Sequence, residues 1–155
     1  MCLALDLYES KIRLALQYAA QYKKASELSV FWIHAATAER FRKASRDIAK
    51  KVDIFGWQDP QADAWQILKE WFESEKSGKW LIILDNADDI DLLYIPSSDR
   101  FADYFPRSDH GSILLTTRNK QTGIKFATAK NIVDLPAMTD IDSSMLLTAR
   151  LGEGN

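Results

Sequence analysis

The chain has 155 residues, 46% hydrophobic and 27% charged, the balance of a folded globular domain, which excludes a disordered or collagen-like chain. Its 20 basic and 22 acidic side chains leave a net charge of −2, which argues against a strongly basic nucleic-acid binder. The one cysteine, Cys2, cannot close an internal disulfide, no apolar run nears the roughly 20 residues of a membrane span, and Met1 to Leu7 lacks the basic lead and cleavage site of a signal peptide, so a reducing, cytoplasmic setting is expected.

No glycine or proline precedes Gly56, so Leu3 to Lys24 can run as one helix, with Leu14, Leu16, Ala19 and Tyr22 as its packed positions. Ser29 to His34 is β-branched and aromatic and too short for a helix, which predicts a buried strand. Thr37 reads as an N-cap, and Phe41, Ala44, Ile48 and Val52 follow at helical spacing, so a helix is expected over Ala38 to Lys51. Asp59-Pro60 has the chemistry of a helix start, Trp65, Leu68 and Phe72 form the stripe behind it, and Ser77-Gly78 ends it. Trp80 to Leu84 is a continuous apolar run closing on Asp85, as expected of a central parallel strand. Ser112 to Thr116, led in by Gly111, is a second such run, and Asn131 to Leu135 a weaker third. Thr139 or Asp140 caps a last helix through Met145 and Ala149, stopped by Gly152. Strands alternating with helices predict an α/β domain with a parallel sheet, and Pro96 to Gly111 is its one linker-like stretch.

Two segments could carry chemistry. Trp80-Leu-Ile-Ile-Leu-Asp-Asn-Ala-Asp-Asp89 has the Walker B form: a buried strand delivers one carboxylate, Asp85, to the edge of the sheet where ligands of open α/β folds bind. Gly111-Ser-Ile-Leu-Leu-Thr-Thr-Arg118 ends in an arginine able to present a charged fork to a phosphate. Taken singly, the first reads more readily as a buried strand entering an acidic turn and the second as a surface arginine on a solvated loop. About 30 residues apart on one chain, they are far more specific.

Together with Ile12-Arg-Leu-Ala-Leu-Gln-Tyr-Ala19, Val30-Phe-Trp-Ile-His-Ala35 and Ala38-Glu-Arg-Phe-Arg-Lys-Ala-Ser-Arg-Asp-Ile-Ala49, they resemble the NB-ARC domain of STAND-class P-loop NTPases, in the form found in fungal NLR-like proteins. The resemblance covers residues 11–151. It implies a three-layer P-loop NTPase fold with strands in the order Ser29–His34, Trp80–Asp85, Ser112–Thr116, a missing or stunted N-terminal strand, then Asn131–Leu135. Residues 1–135 would be the nucleotide-binding core, incomplete at its N-terminus, and 136–155 the start of the helical subdomain. The implied ligand is ADP or ATP with Mg²⁺: Lys11, Thr117 and Arg118 would bind the nucleotide and Asp85 the metal. The implied activity is slow ATP hydrolysis at most, with no catalytic residue assigned. The implied partners are the helical and repeat sensor domains of the same chain, with neither nucleic acid nor membrane.

The chain departs from that pattern where it matters most. The family's G-x-x-x-x-G-K-[ST] aligns with Leu5-Asp-Leu-Tyr-Glu-Ser-Lys-Ile12, and of its defining residues Lys11 alone survives. Glycines let successive backbone N–H groups curl round phosphate oxygens. Here Leu7 and Tyr8 crowd that space, Asp6 and Glu9 repel phosphate, and Ile12 has no hydroxyl for a metal. Binding is therefore expected to be weakened or lost, and a non-binding pseudo-NTPase serving as an interaction module is the alternative. Cys2 to Leu5 could form a stunted strand as readily as join the first helix. If it joins the helix, the sensor strand keeps an unpaired edge and the chain is expected to self-associate.

Other residues carry plainer expectations. Asn86 stands where a water-orienting acid could sit, and an amide cannot be a general base. His34 and His110 lack metal-ligand spacing and are assigned to packing or loops. The five tryptophans read as core, Asp88, Asp89 and Asp91 as a solvated acidic turn, and Lys23-Lys24 and Lys50-Lys51 as helix ends.

Overall fold

The computed structural model describes residues 2–5, 8–25, 27–89 and 104–135, with 139, 141, 144, 145 and 148 beyond them. The chain runs β1 (Cys2–Leu5), α1 (Tyr8–Ala25), β2 (Ser29–His34), α2 (Ala38–Lys51), α3 (Ala64–Glu73), β3 (Trp80–Asp85), β4 (Gly111–Thr117), α4 (Lys120–Phe126) and β5 (Ile132–Leu135). The strands form one parallel sheet in the order β2-β3-β4-β1-β5, the order the family resemblance implies.

The N-terminal segment settles the open choice. Cys2–Leu5 is a strand of four residues seated inside the sheet between β4 and β5, with Leu3 opposite Thr116 on one side and Val133 on the other. The reading of Leu3 to Lys24 as one helix is overturned, because extended backbone at this position satisfies the N–H and C=O groups of two neighbours at once. β4 thus pairs with β3 over Gly111–Leu115 and with β1 over Leu115–Thr117, so the condition attached to self-association, a first strand absorbed into the helix, is not met.

Period-two alternation divides the core. Trp80, Ile82 and Leu84 of β3 face one way and pack with Phe41 and Ala49 of α2, Trp65, Leu68 and Phe72 of α3, and Leu115. Leu81 and Ile83 face the other way and meet Leu114 and Ala15 and Ala19 of α1. β3 is buried along its whole length, as a strand covered on both faces must be. α1 packs through its alanines, whereas Leu14, Leu16 and Tyr22, expected to be packed, are exposed. Small side chains let the helix lie close to the sheet and turn the long ones outward.

Thr37 caps α2 as expected, its hydroxyl accepting from Arg40 N at 3.2 Å. α3 begins four residues later than Asp59-Pro60 suggests. Asp59 spends its carboxylate on Gln61 N at 2.9 Å, closing a turn, and Asp63 is the cap, accepting from Trp65 N at 2.9 Å. α4 is unforeseen; its signal is Asn119, which caps it through Gln121 N, and buried Gly123 inside it hides that signal. Trp65 and Trp80 are fully buried and Trp32, Trp57 and Trp71 partly so, the core role expected of all five. The helix expected after Thr139 and most of the linker-like stretch fall largely outside the described residues. Among the described residues no helix is long and apolar enough to cross a membrane.

Candidate nucleotide site

The carboxyl ends of β2, β3 and β4 bring His34, Asp85 and Thr116 together, the edge at which an open parallel sheet places ligands. Asp85 is 1% exposed. Its Oδ1 accepts the Thr116 hydroxyl at 2.9 Å, and the same hydroxyl oxygen accepts Asn86 N at 2.9 Å. Thr116 therefore fastens the strand-end carboxylate and the first residue of the following loop to one point. That second bond helps hold Asn86 at φ +61°, a left-handed conformation that asparagine tolerates better than most residues.

The other oxygen is left over. Asp85 Oδ2 is buried and accepts no hydrogen bond; His34 Nδ1 stands 3.2 Å away, close enough for an ion pair but out of line for donation. His34 itself is 55% exposed. A buried carboxylate oxygen without a donor is a costly arrangement unless something else completes it.

Arg118 and Thr117, read as nucleotide ligands, are brought to the same end of the sheet but are engaged with Asp88. The Asp88 carboxylate accepts from Arg118 N at 2.6 Å and Arg118 Nε at 2.6 Å, and its Oδ2 lies 2.5 Å from Arg118 Nη2. Thr117 Oγ1, fully buried, donates to the same carboxylate at 3.3 Å and accepts from Asn119 N at 3.0 Å. Partial burial works against charge on Asp88, but the Arg118 backbone and guanidinium outweigh it and hold the carboxyl below its ordinary range. The expectation that Asp88 belongs to a solvated turn is corrected: it ties the loop after β3 to the tip of β4. Lys120, the next cation along, is bound to Asp134 at 2.9 Å.

Lys11 lies in the first turn of α1, and its side chain is outside the description, as is Asp91. β1 ends at Leu5 and α1 begins at Tyr8, so two residues separate strand from helix where the family motif has a glycine-bounded loop. Ser10 and Ile12 are helical.

A nucleotide-binding leucine-rich repeat (NLR)-like protein of Hyaloscypha variabilis matches this chain over 152 residues, 92% of its length, at 35% identity. The chain is similar to an NLR-like protein. It spans 15% of that relative's length. No family model matches it.

Three members of this cluster escaped sequence reasoning in their present roles: Thr116, Asp88 and His34. The signal for two of them was strand register, since Thr116 ends its apolar run as Asp85 does, and His34 is directly opposite Asp85. Nothing in the local sequence marks Asp88 as the partner of an arginine 30 residues on. His110, assigned to a loop role, has one: its ring nitrogens meet Ser108 Oγ at 2.6 Å and Ser77 Oγ at 3.2 Å, joining the approaches to β3 and β4.

Proposed function

We infer that this chain is an adenine-nucleotide-binding module of a STAND-type signalling switch, of the NB-ARC kind, with its affinity weakened by the altered phosphate loop. The observation that carries the reading is the buried Oδ2 of Asp85, which accepts no hydrogen bond and has only His34 Nδ1 near it, at the end of a parallel strand buried on both faces. It fits a hard divalent cation. Mg²⁺ is commonly held by one or two carboxylates, with phosphate oxygens and water completing the shell. Asp85 can supply one such carboxylate, and Ile12 can supply no second protein oxygen from its side chain. Bound there, Mg²⁺ would neutralise phosphate charge; the chain's own part is to hold Asp85 rigid through Thr116.

The similarity to an NLR-like protein supports the signalling context, in which helical and repeat sensor domains elsewhere in a longer protein would read the nucleotide state. Arg118 is the candidate γ-phosphate contact. To act so, its fork must exchange Asp88 for phosphate oxygens. With no acid at Asn86 to orient water, binding rather than turnover is the proposed activity, in a cytoplasmic setting.

Calorimetric titration with ADP and ATP, each with and without Mg²⁺, tests this. The expected dissociation constants are in the high micromolar range or weaker, on the order of −5 to −6 kcal/mol, and Mg²⁺ should tighten binding in the native chain but not in Asp85→Ala. A Mg²⁺ effect that survives Asp85→Ala refutes the metal assignment. Sub-micromolar affinity refutes the argument from the altered loop. A second reading, a non-binding interaction module, is favoured by one observation: Arg118 and Lys120 are both already paired with acids. Complete absence of binding heat with both nucleotides would decide for it.

A further inference from the structure

The α2 helix places its charge against its own field. Residues Ala38 to Arg46 include Arg40, Arg42, Lys43 and Arg46 against Glu39 alone, with Arg40, Arg42 and Lys43 in the half of the helix nearest the positive end of its dipole. Arg42 and Arg46 are one turn apart and repel each other. Among the described residues Arg42 and Lys43 have no ion-pair or hydrogen-bonding partner, and Arg46 makes only a long 3.5 Å donation to Pro60 O. The nucleotide reading uses none of these three side chains.

All three line a cavity of about 510 Å³ between the first half of α2 and the segment entering α3. That volume lies within the roughly 300–1,000 Å³ of small-molecule sites. Trp65 and Tyr104 contribute aromatic lining, their rings 5.9 Å apart. Burial first, and then the neighbouring Asp63, push the Tyr104 phenol up to about 12 against the opposing pull of Arg42, so at neutral pH it is uncharged and does not repel an anion. Asp63 is the one acid among the described lining residues, and its Oδ1 is already committed to capping α3 through Trp65 N and Gln66 N.

We propose that this cavity is a second binding site, for a small phosphate monoester carried on a flat ring. The phosphate oxygens take the Arg42 and Arg46 forks with Lys43 beside them, since planar guanidinium donors match a tetrahedral oxyanion two at a time. The ring of the ligand lies against the half-buried Tyr104, which Trp65 backs from the core. Occupancy relieves the repulsion among the three cations, which distinguishes this site from the strand-end site, where the described cations are already paired.

The test is a calorimetric titration of the 155-residue chain with phenyl phosphate, inorganic phosphate and phenol, all in EDTA. Phenyl phosphate should saturate at or below about 1 mM, more tightly than inorganic phosphate, and phenol should not bind. Arg42→Gln/Arg46→Gln should weaken phenyl phosphate at least about tenfold. If that double variant loses its cooperative melt, Lys43→Gln, a single change at an exposed position, should still weaken it measurably. No saturation by the folded native chain, or native affinity in the folded variants, overturns the proposal. EDTA separates the two sites: nucleotide binding that needs Mg²⁺ can fail while this titration succeeds, and the reverse.

Discussion

Thr116→Val removes one hydroxyl, keeps the side-chain shape, and tests the strand-end arrangement directly. Two hydrogen bonds are lost at a position 1% exposed: the donation to Asp85 Oδ1 at 2.9 Å and the acceptance from Asn86 N at 2.9 Å. A bond to a charged group contributes about 1.5–3 kcal/mol and one between neutral groups about 0.5–1.5, so the loss should be roughly 2–4.5 kcal/mol. The upper part of that range is favoured, because Asp85 would then have neither oxygen hydrogen-bonded while remaining buried. For a domain of this size the midpoint should fall by roughly 5–15 °C. Urea unfolding followed by tryptophan fluorescence gives the free energy, and a double-mutant cycle with Asp85→Ala should show a coupling of at least about 1 kcal/mol. A Thr116→Val loss below about 0.5 kcal/mol with no coupling would refute the claim that this hydroxyl holds the carboxylate.

Two further outcomes follow from the packing and the charges. Gly111→Ala should cost more than about 2 kcal/mol in urea unfolding, because a Cβ there would sit 2.0 Å from the Trp80 ring, and that ring is buried and pinned by its Nε1 donation to Phe72 O at 2.9 Å. Asp88 is held below its ordinary range, so its contribution is present above the unfolded carboxylate pKa near 4 and is lost as pH falls through the depressed value. Thermal melts from pH 6 down to about pH 2 should therefore show the native chain losing more stability than Asp88→Asn, and equal losses would mean that the Arg118 pair adds nothing.

Most of the architecture was legible because its signals are local. Ser29–His34 and Trp80–Asp85 are apolar runs of strand length, and Thr37 carries its own capping chemistry; all three elements begin and end where the sequence places them. Errors arose where two local signals competed. Asp59-Pro60 has helix-start chemistry, yet Asp59 closes a turn and leaves the cap to Asp63. Cys2–Leu5 is too short to show a period, and only the seat between two distant strands makes it a strand. In the site, Asp85 could be found from its place at the end of a run. The Asp88–Arg118 pair could not, because no spacing rule links a loop carboxylate to a guanidinium just past the end of another strand.

The seat of β1 between β4 and β5 also shapes how the molecule must be assembled. Cys2–Leu5 lies at the start of the chain, yet its neighbours are β4 and β5, the last of them ending at Leu135. β2, β3 and β4 need only one another to align, so half the sheet can form with that seat vacant. β1 gains one neighbour when β4 exists and the second only when nearly all the described chain is present. Closing so long a loop is entropically slow, and a fold with an inner strand that depends on such pairings acquires that strand's hydrogen bonds late. During synthesis β1 emerges before both of the strands that flank it.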